Sequence, residues 1–326
     1  MITYEKLSRR PRAATSLIGM SLEAFDQLYA EFAVAHGERL ANLSVTRRKG
    51  VPRQRAVGAG GKHRYDLRNR LLMTLFWLRV YTTYEVMGFF YQLNKTNIED
   101  NLKDILATLD GMTSFPYDRP GPERKKLHSV AAVMDAFPDV RLVIDAKEQR
   151  IERPKAKKDS EGKPQDQQKP YYSGKKKAHT LKNQIAVRPD GQIEAVSESV
   201  PGGQTHDLNL LRQTDLLGQL GEGEAAMLDK GYDGVQNDYP DQQLYLPFKA
   251  RRNHPLTDEQ KAYNGFLARY RILVEHSLAC MNRFQVLRQV YRHQRDEHTG
   301  IVRIVAGLVN RRIQEKPLKT YDLAMA

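Results

Sequence analysis

Three carboxylates in this sequence are spaced for chemistry. Ala225 to Gly234, AAMLDKGYDG, runs four apolar residues into Asp229 and then two glycines, the pattern of a short buried strand that ends in a turn. In open α/β sheets the crevice outside the carboxyl ends of the strands is where ligands bind, so Asp229 is positioned to hold a metal or polarise a substrate. Asp-Lys-Gly is also the composition of an ordinary solvated turn. Repetition shifts the balance. Arg141 to Ala146, RLVIDA, is a second apolar run reaching an aspartate, Asp145, and Glu275 lies on a long helical pattern. Three carboxylates at the ends of separate elements point to a metal site.

The elements that must hold them come from a chain of 326 residues, long enough for a main core of about two hundred residues with smaller attachments. Lys and Arg number 52 against 39 Asp and Glu, a formal charge of +13, and the pI of 9.6 is the footprint of a polyanion binder, with nucleic acid the leading partner. The lone Cys280 excludes a disulfide framework and a cysteine zinc cluster, and its apolar helical face makes it a small core residue. The N-terminal MITYEKLSRRPR has no apolar signal core, and no apolar run approaches the ~18 residues of a membrane helix. The expectation is a cytoplasmic protein with no membrane partner.

Residues 1–64 read as an N-terminal helix and a basic linker. Leu22, Phe25, Leu28, Tyr29 and Phe32 share one helical face capped by Ser21, and residues 46–64 mix basic side chains with Gly and Pro. Residues 65–115 read as three helices. Leu67, Leu71, Leu72, Leu75 and Leu78 line the first, while Thr82 with Glu85 and Thr96 with Glu99 form capping boxes that open the second and third. The last two joined by a tight turn give the layout of a helix-turn-helix, with Lys95, Asn97 and Asn101 at the start of the recognition helix, where side chains reach base edges.

A Pro-rich, basic connection over 113–126 separates this region from a domain spanning 116–326. After the Asp145 strand, 147–178 reads as a basic surface insertion. It closes on YYSGKKKAHT, whose aromatics and Lys175, Lys176 and Lys177 suit bases and phosphates, although a charged edge strand has the same composition. HTLKNQIAV and IEAVSESV around Pro189-Asp190-Gly191 read as a hairpin, Asp207 as a helix N-cap, QQLYLPFKA as a strand, and 257–288 and 298–313 as helices. His206 is weak evidence for a metal. Helical arithmetic puts Glu275 at the edge of the apolar arc, one turn from Arg271, a spacing that an exposed Arg–Glu pair would also show.

The ordered set RLVIDA, YYSGKKKAHTLKNQIAV, GGQTHDLNLL, LDKGYDG, LPFKARR and RYRILVEH resembles the DDE transposases of the IS-five insertion-sequence family, in the branch related to PIF/Harbinger transposases, over nearly the whole chain. The resemblance implies an α/β, RNase H-like catalytic domain, a mixed sheet flanked by helices, preceded by the all-α helix-turn-helix region. Its catalytic, metal-holding triad falls on Asp145, Asp229 and Glu275. Of the family's Tyr, Arg, Glu, Lys signature, Arg271 and Glu275 match, Ala268 occupies the tyrosine position, and Asn282 followed by Arg283 replaces the lysine. His179, Lys182 and Arg271 join the lysines as expected DNA contacts.

The function implied is binding of terminal inverted repeats, Mg²⁺-dependent cleavage with Mn²⁺ as a substitute, and joining of 3′ ends to target DNA by a nucleoid-associated homodimer or higher oligomer that synapses the ends. A catalytically silent DNA-binding regulator and a nuclease that cleaves without integrating are the alternatives.

Overall fold

The computed structural model describes residues 2–46, 63–113, 139–155, 157–158, 164–165, 168–218, 220–250, 252 and 254–315. Most of the expected basic linker and the Pro-rich connection, and part of the basic insertion, lie outside these residues. The chain divides into two compact units, Met1–Ser114 with Arg283–Val286 and Arg303–Val305, and Phe115–Asn282 with Leu287–Val302 and Ala306–Ala326.

Among its described residues the first unit has six helices, α1 (Tyr4–Ser8), α2 (Pro11–Ile18), α3 (Leu22–Thr46), α4 (Leu67–Val80), α5 (Tyr84–Tyr91) and α6 (Lys95–Met112). Ser21 Oγ accepts from Ala24 N at 3.1 Å at the head of α3, and Phe25, Leu28 and Phe32 are buried, as the helical face requires. α4 buries every residue from Arg70 to Leu78, which makes it the central helix. Asp104 of α6 ties the bundle together. Its carboxylate accepts from Arg70 of α4 at 2.5 Å and from Arg39 of α3, and lies 3.1 Å from His36 Nε2. Burial pushes the Asp104 carboxyl up, but His36, Arg70 and Arg39 together hold it below its ordinary value.

Two caps differ from expectation. Thr83, not Thr82, accepts from Val86 N at the start of α5, and Asn94, not Thr96, accepts from Asn97 N at 2.7 Å at the start of α6. Asn is as good a cap as Thr, so α6 begins at Lys95 after the short turn Gln92–Asn94, in which Gln92 adopts a left-handed conformation (φ 51°).

The second unit is a seven-stranded mixed sheet flanked by helices, the α/β, RNase H-like arrangement that the sequence implied. Its strands are β1 (Val140–Arg150), β4 (Tyr172–Ser173), β5 (Ala178–Val187), β6 (Ile193–Val196), β7 (Val200–Pro201), β8 (Ala225–Leu228) and β9 (Gln243–Tyr245), with β2 (Lys157–Lys158) and β3 (Pro164–Gln165) in a separate ribbon. The sheet runs β4-β5-β1-β8-β9, and β6 and β7 also pair with β5. β1 is antiparallel to β5 and parallel to β8, and β8 is parallel to β9. All four residues of β8 are buried, as a parallel strand covered on both faces demands. Among the described residues three α-helices accompany it: α7 (Asp207–Thr214), α8 (Asp258–Asn282) and α9 (His298–Glu315), the last apart from Arg303–Val305.

Leu142, Ile144, Ala226 and Leu228 join Leu211 of α7, Tyr232 and Val235 in one hydrophobic cluster on a single face of the sheet. β1 is longer than the sequence suggested. It continues through Arg150, so residues 147–150 are strand rather than insertion: Lys147 Nζ donates to Leu287 O, and Gln149 is buried. The expected strand over 242–250 shrinks to β9, and Asn264 of α8 clamps the segment that follows by accepting from Phe248 N at 2.7 Å and donating to Phe248 O at 2.9 Å.

Candidate active site

Register sets the geometry. Val143 pairs with Met227 and Ile144 with Leu228 in the parallel β1–β8 ladder, so the next residues, Asp145 and Asp229, stand side by side. Neighbouring strands run about 4.8 Å apart. Because side chains alternate, both carboxylates take the face opposite the one that Ile144 and Leu228 give to the hydrophobic cluster. β8 ends at Leu228 while β1 runs on, so Asp229 terminates its strand and Asp145 lies mid-strand, five residues before its end, not at a strand terminus as the sequence suggested.

Asp145 Oδ1 accepts from Ala146 N at 2.8 Å. Burial pushes its carboxyl above the ordinary value, and the negative charges of Asp229 and Asp207 act in the same direction, against the Ala146 N–H and the Arg271 cation. Asp229 Oδ1 accepts from Lys230 N at 2.6 Å, capping a single 3₁₀ turn over Lys230–Tyr232, and from Arg271 Nη1 at 2.9 Å. Arg271 reaches it from α8, whose start is fixed by a reciprocal capping box missed in the sequence: Gln260 N donates to Thr257 Oγ1 and Thr257 N to Gln260 Oε1.

Glu275 is exposed on the same helix, one turn beyond Arg271, and not at the rim of the core. Among the described side chains of α8, Leu267, Val274, Ser277, Cys280 and Met281 are buried, and Glu275 is not one of them. Among the described residues, no three His, Cys, Asp or Glu side chains form a group able to hold a metal ion. The donor chemistry of the aspartate pair nevertheless fits a hard divalent cation, which prefers carboxylate oxygens and can be held by one or two of them together with substrate phosphates.

The expected DNA contacts divide. Lys95 and Asn97 are exposed on the first turn of α6, but Asn101 is 8% exposed and cannot reach a base: its Oδ1 accepts from Arg70 Nε and its Nδ2 donates to Asn97 O, both at 2.6 Å. Lys175, Lys176 and Lys177 are exposed in the turn between β4 and β5, with Lys177 at φ 50°, and His179 packs edge-on against Tyr172. Lys182 is corrected outright. It is 6% exposed, and its ammonium donates to Thr205 O and Asp207 Oδ1, each at 2.8 Å. Asp207 is likewise not an N-cap. His206 holds that position, without a side-chain bond, and Asp207 is the first residue of α7.

Residues 144–310, slightly more than half of the chain, match the family described as DDE superfamily endonuclease. The chain belongs to that family. This DDE endonuclease is 27% identical to a probable transposase for insertion sequence element IS702 of Microchaete diplosiphon, over 77% of its own length and 82% of that protein's. It is 34% identical to a transposase for insertion sequence element IS1106 of Neisseria meningitidis serogroup B over 95 residues, 28% of this chain and 31% of that one. No solved structure matches it. DDE superfamily endonucleases use divalent metal ions, in keeping with the oxygen donors of the aspartate pair, and no helix of the described residues is long and apolar enough to cross a membrane.

Proposed function

We propose that this endonuclease is the transposase of an insertion sequence, binding the element's terminal inverted repeats, cutting there and joining the 3′ ends to target DNA. The observation that carries this reading is the placement of Asp145 and Asp229, each the residue that follows the in-register pair Ile144–Leu228 of two adjacent parallel strands, on the side away from the hydrophobic cluster. Asp145 and Asp229 would hold the cation, Mg²⁺ or Mn²⁺, and Glu275 is the third carboxylate. When bound, Mg²⁺ stabilises the attacking and leaving oxygens of an in-line phosphoryl displacement. Arg271 contacts the DNA backbone near the cut, and a 3′-hydroxyl of the element replaces water as nucleophile in the joining step.

The α5–turn–α6 arrangement supports a helix-turn-helix over residues 65–115, with Lys95 and Asn97 reading bases. Lys175, Lys176 and Lys177 follow phosphates, and two or more protomers bring the element ends together in the nucleoid. The test is incubation of the purified protein and Mg²⁺ with DNA carrying the element's own ends. Cutting at the ends and covalent joining to a second duplex are expected. Cutting without joined product reduces the protein to a nuclease, and binding without cutting to a regulator.

A further inference from the structure

Asp207 is not among the three carboxylates of the proposed triad, yet contacts on two sides fix it beside them. On one side Lys182 Nζ donates to Asp207 Oδ1 at 2.8 Å, and the same ammonium lies 3.8 Å from Glu148, the residue opposite Lys182 in the β1–β5 register. An ammonium this buried is destabilising unless its charge is met, and Asp207 meets it directly. On the other side the Asp207 carboxylate lies close to the turn that follows Asp229. A Cβ added to Gly231 would stand 2.8 Å from Asp207 Oδ2. Gly231 is not among the positive-φ glycines, so a side chain there is opposed by the close approach of the Asp207 carboxylate, which Lys182 holds in place, and not by backbone conformation. Tyr232, the next residue, is fully buried with its hydroxyl accepting from Gln184 Nε2 at 2.9 Å, so the turn is gripped at adjacent positions.

We infer that Asp207, held by Lys182, is a positioning residue: it seats the Asp229–Lys230–Gly231–Tyr232 turn and thereby sets the Asp229 carboxylate against Asp145. The inference rests on the reading that Asp145 and Asp229 hold a divalent cation, and acts through the turn rather than by contact with the metal. Groups that hydrogen-bond a metal ligand directly are worth about 10–100-fold in metal affinity, and Asp207, one step further out, is expected at the lower end of that range.

The test is Mn²⁺ binding to the full chain without DNA, read from the loss of the free-Mn²⁺ electron paramagnetic resonance signal, with Asp145→Asn as reference. Asp145→Asn is expected to lose most of the binding; if it binds Mn²⁺ as the wild type does, the aspartate-pair reading fails and the inference with it. Given that loss, Asp207→Asn and Gly231→Ala are each expected to weaken Mn²⁺ binding about tenfold. The deciding arm is Gly231→Ala in an Asp207→Ala background, where the added methyl has room and the further loss is expected to vanish. An Asp207→Asn protein of unchanged Mn²⁺ affinity overturns the inference, as does an equal Gly231→Ala penalty in both backgrounds. Asp207→Asn keeps the side-chain shape and decides the question if Asp207→Ala does not fold.

Discussion

Arg271 Nη1 donates to Asp229 Oδ1 at 2.9 Å, joining a helix to a strand end 42 residues earlier in the chain. The same arginine lies one turn from Glu275, a spacing that also allowed a surface pair between them. The ion pair goes instead to the aspartate beside Asp145, so a protein cation meets one of the two carboxylates that we assign to a metal. On this account Arg271→Gln strengthens Mn²⁺ binding to the DNA-free protein by about two- to fivefold, the range a part-exposed ion pair allows, while it weakens DNA binding. A titration in which both affinities fall together would contradict the competition.

Base readout is assigned to Lys95 and Asn97 and withdrawn from Asn101. Alanine at Asn97 is expected to weaken binding to the element's ends by about 1–3 kcal/mol and to leave non-specific binding nearly intact. Alanine at Asn101 leaves a buried arginine hydrogen bond unmet, so its expected effect is a lower thermal midpoint with unchanged sequence preference. Competition binding with specific and scrambled DNA, paired with thermal unfolding, separates the two outcomes.

The exposed turn bearing Lys175, Lys176 and Lys177 carries a prediction about salt. Replacing all three with alanine is expected to flatten the slope of log affinity against log salt by roughly one unit for each phosphate that these lysines neutralise in the wild type. An unchanged slope would leave the turn as plain solvated surface.

Much of this was legible in the sequence, because apolar runs that stop at aspartate identify strands locally. The adjacency of Asp145 and Asp229 was not, since parallel register is set by pairing between segments far apart in the chain. Burial of polar residues was the second gap. A helical wheel or a basic count treats Asn101 and Lys182 as surface, and the partners brought by distant elements, Arg70 in one case and Asp207 with Thr205 in the other, make their burial tolerable. The end of β1 is hidden from the sequence for the same reason: Lys147 to Arg150 look like insertion by composition, but their backbone pairs with β5.

His298 supplies a pH signature. Its Nδ1 lies 2.7 Å from Ser199 Oγ and its Nε2 2.9 Å from Gln149 Oε1, and burial, reinforced by the Lys147 charge, pushes its pKa from 6.5 to about 3. A folded value below the unfolded one means that the unfolded chain takes up the proton first. The stabilisation is therefore present above pH 6.5 and lost as the pH falls towards 3. Thermal midpoints measured across that window are expected to fall more steeply for the wild type than for His298→Gln, and parallel curves would refute the assignment.

The central claim, that Asp145, Asp229 and Glu275 carry the chemistry, is tested by comparing Asp145→Asn, Asp229→Asn and Glu275→Gln with the wild type for Mg²⁺-dependent cutting of DNA bearing the element's ends. These changes keep shape and remove charge. Because burial raises the Asp145 carboxyl, its ionised form costs stability at neutral pH, so Asp145→Asn is expected to fold at least as stably as the wild type without metal. Each variant is predicted to bind the ends almost as the wild type does, with cutting abolished in Mg²⁺. A Glu275→Gln protein that cuts at near wild-type rate would remove that exposed residue from the site and contradict the triad.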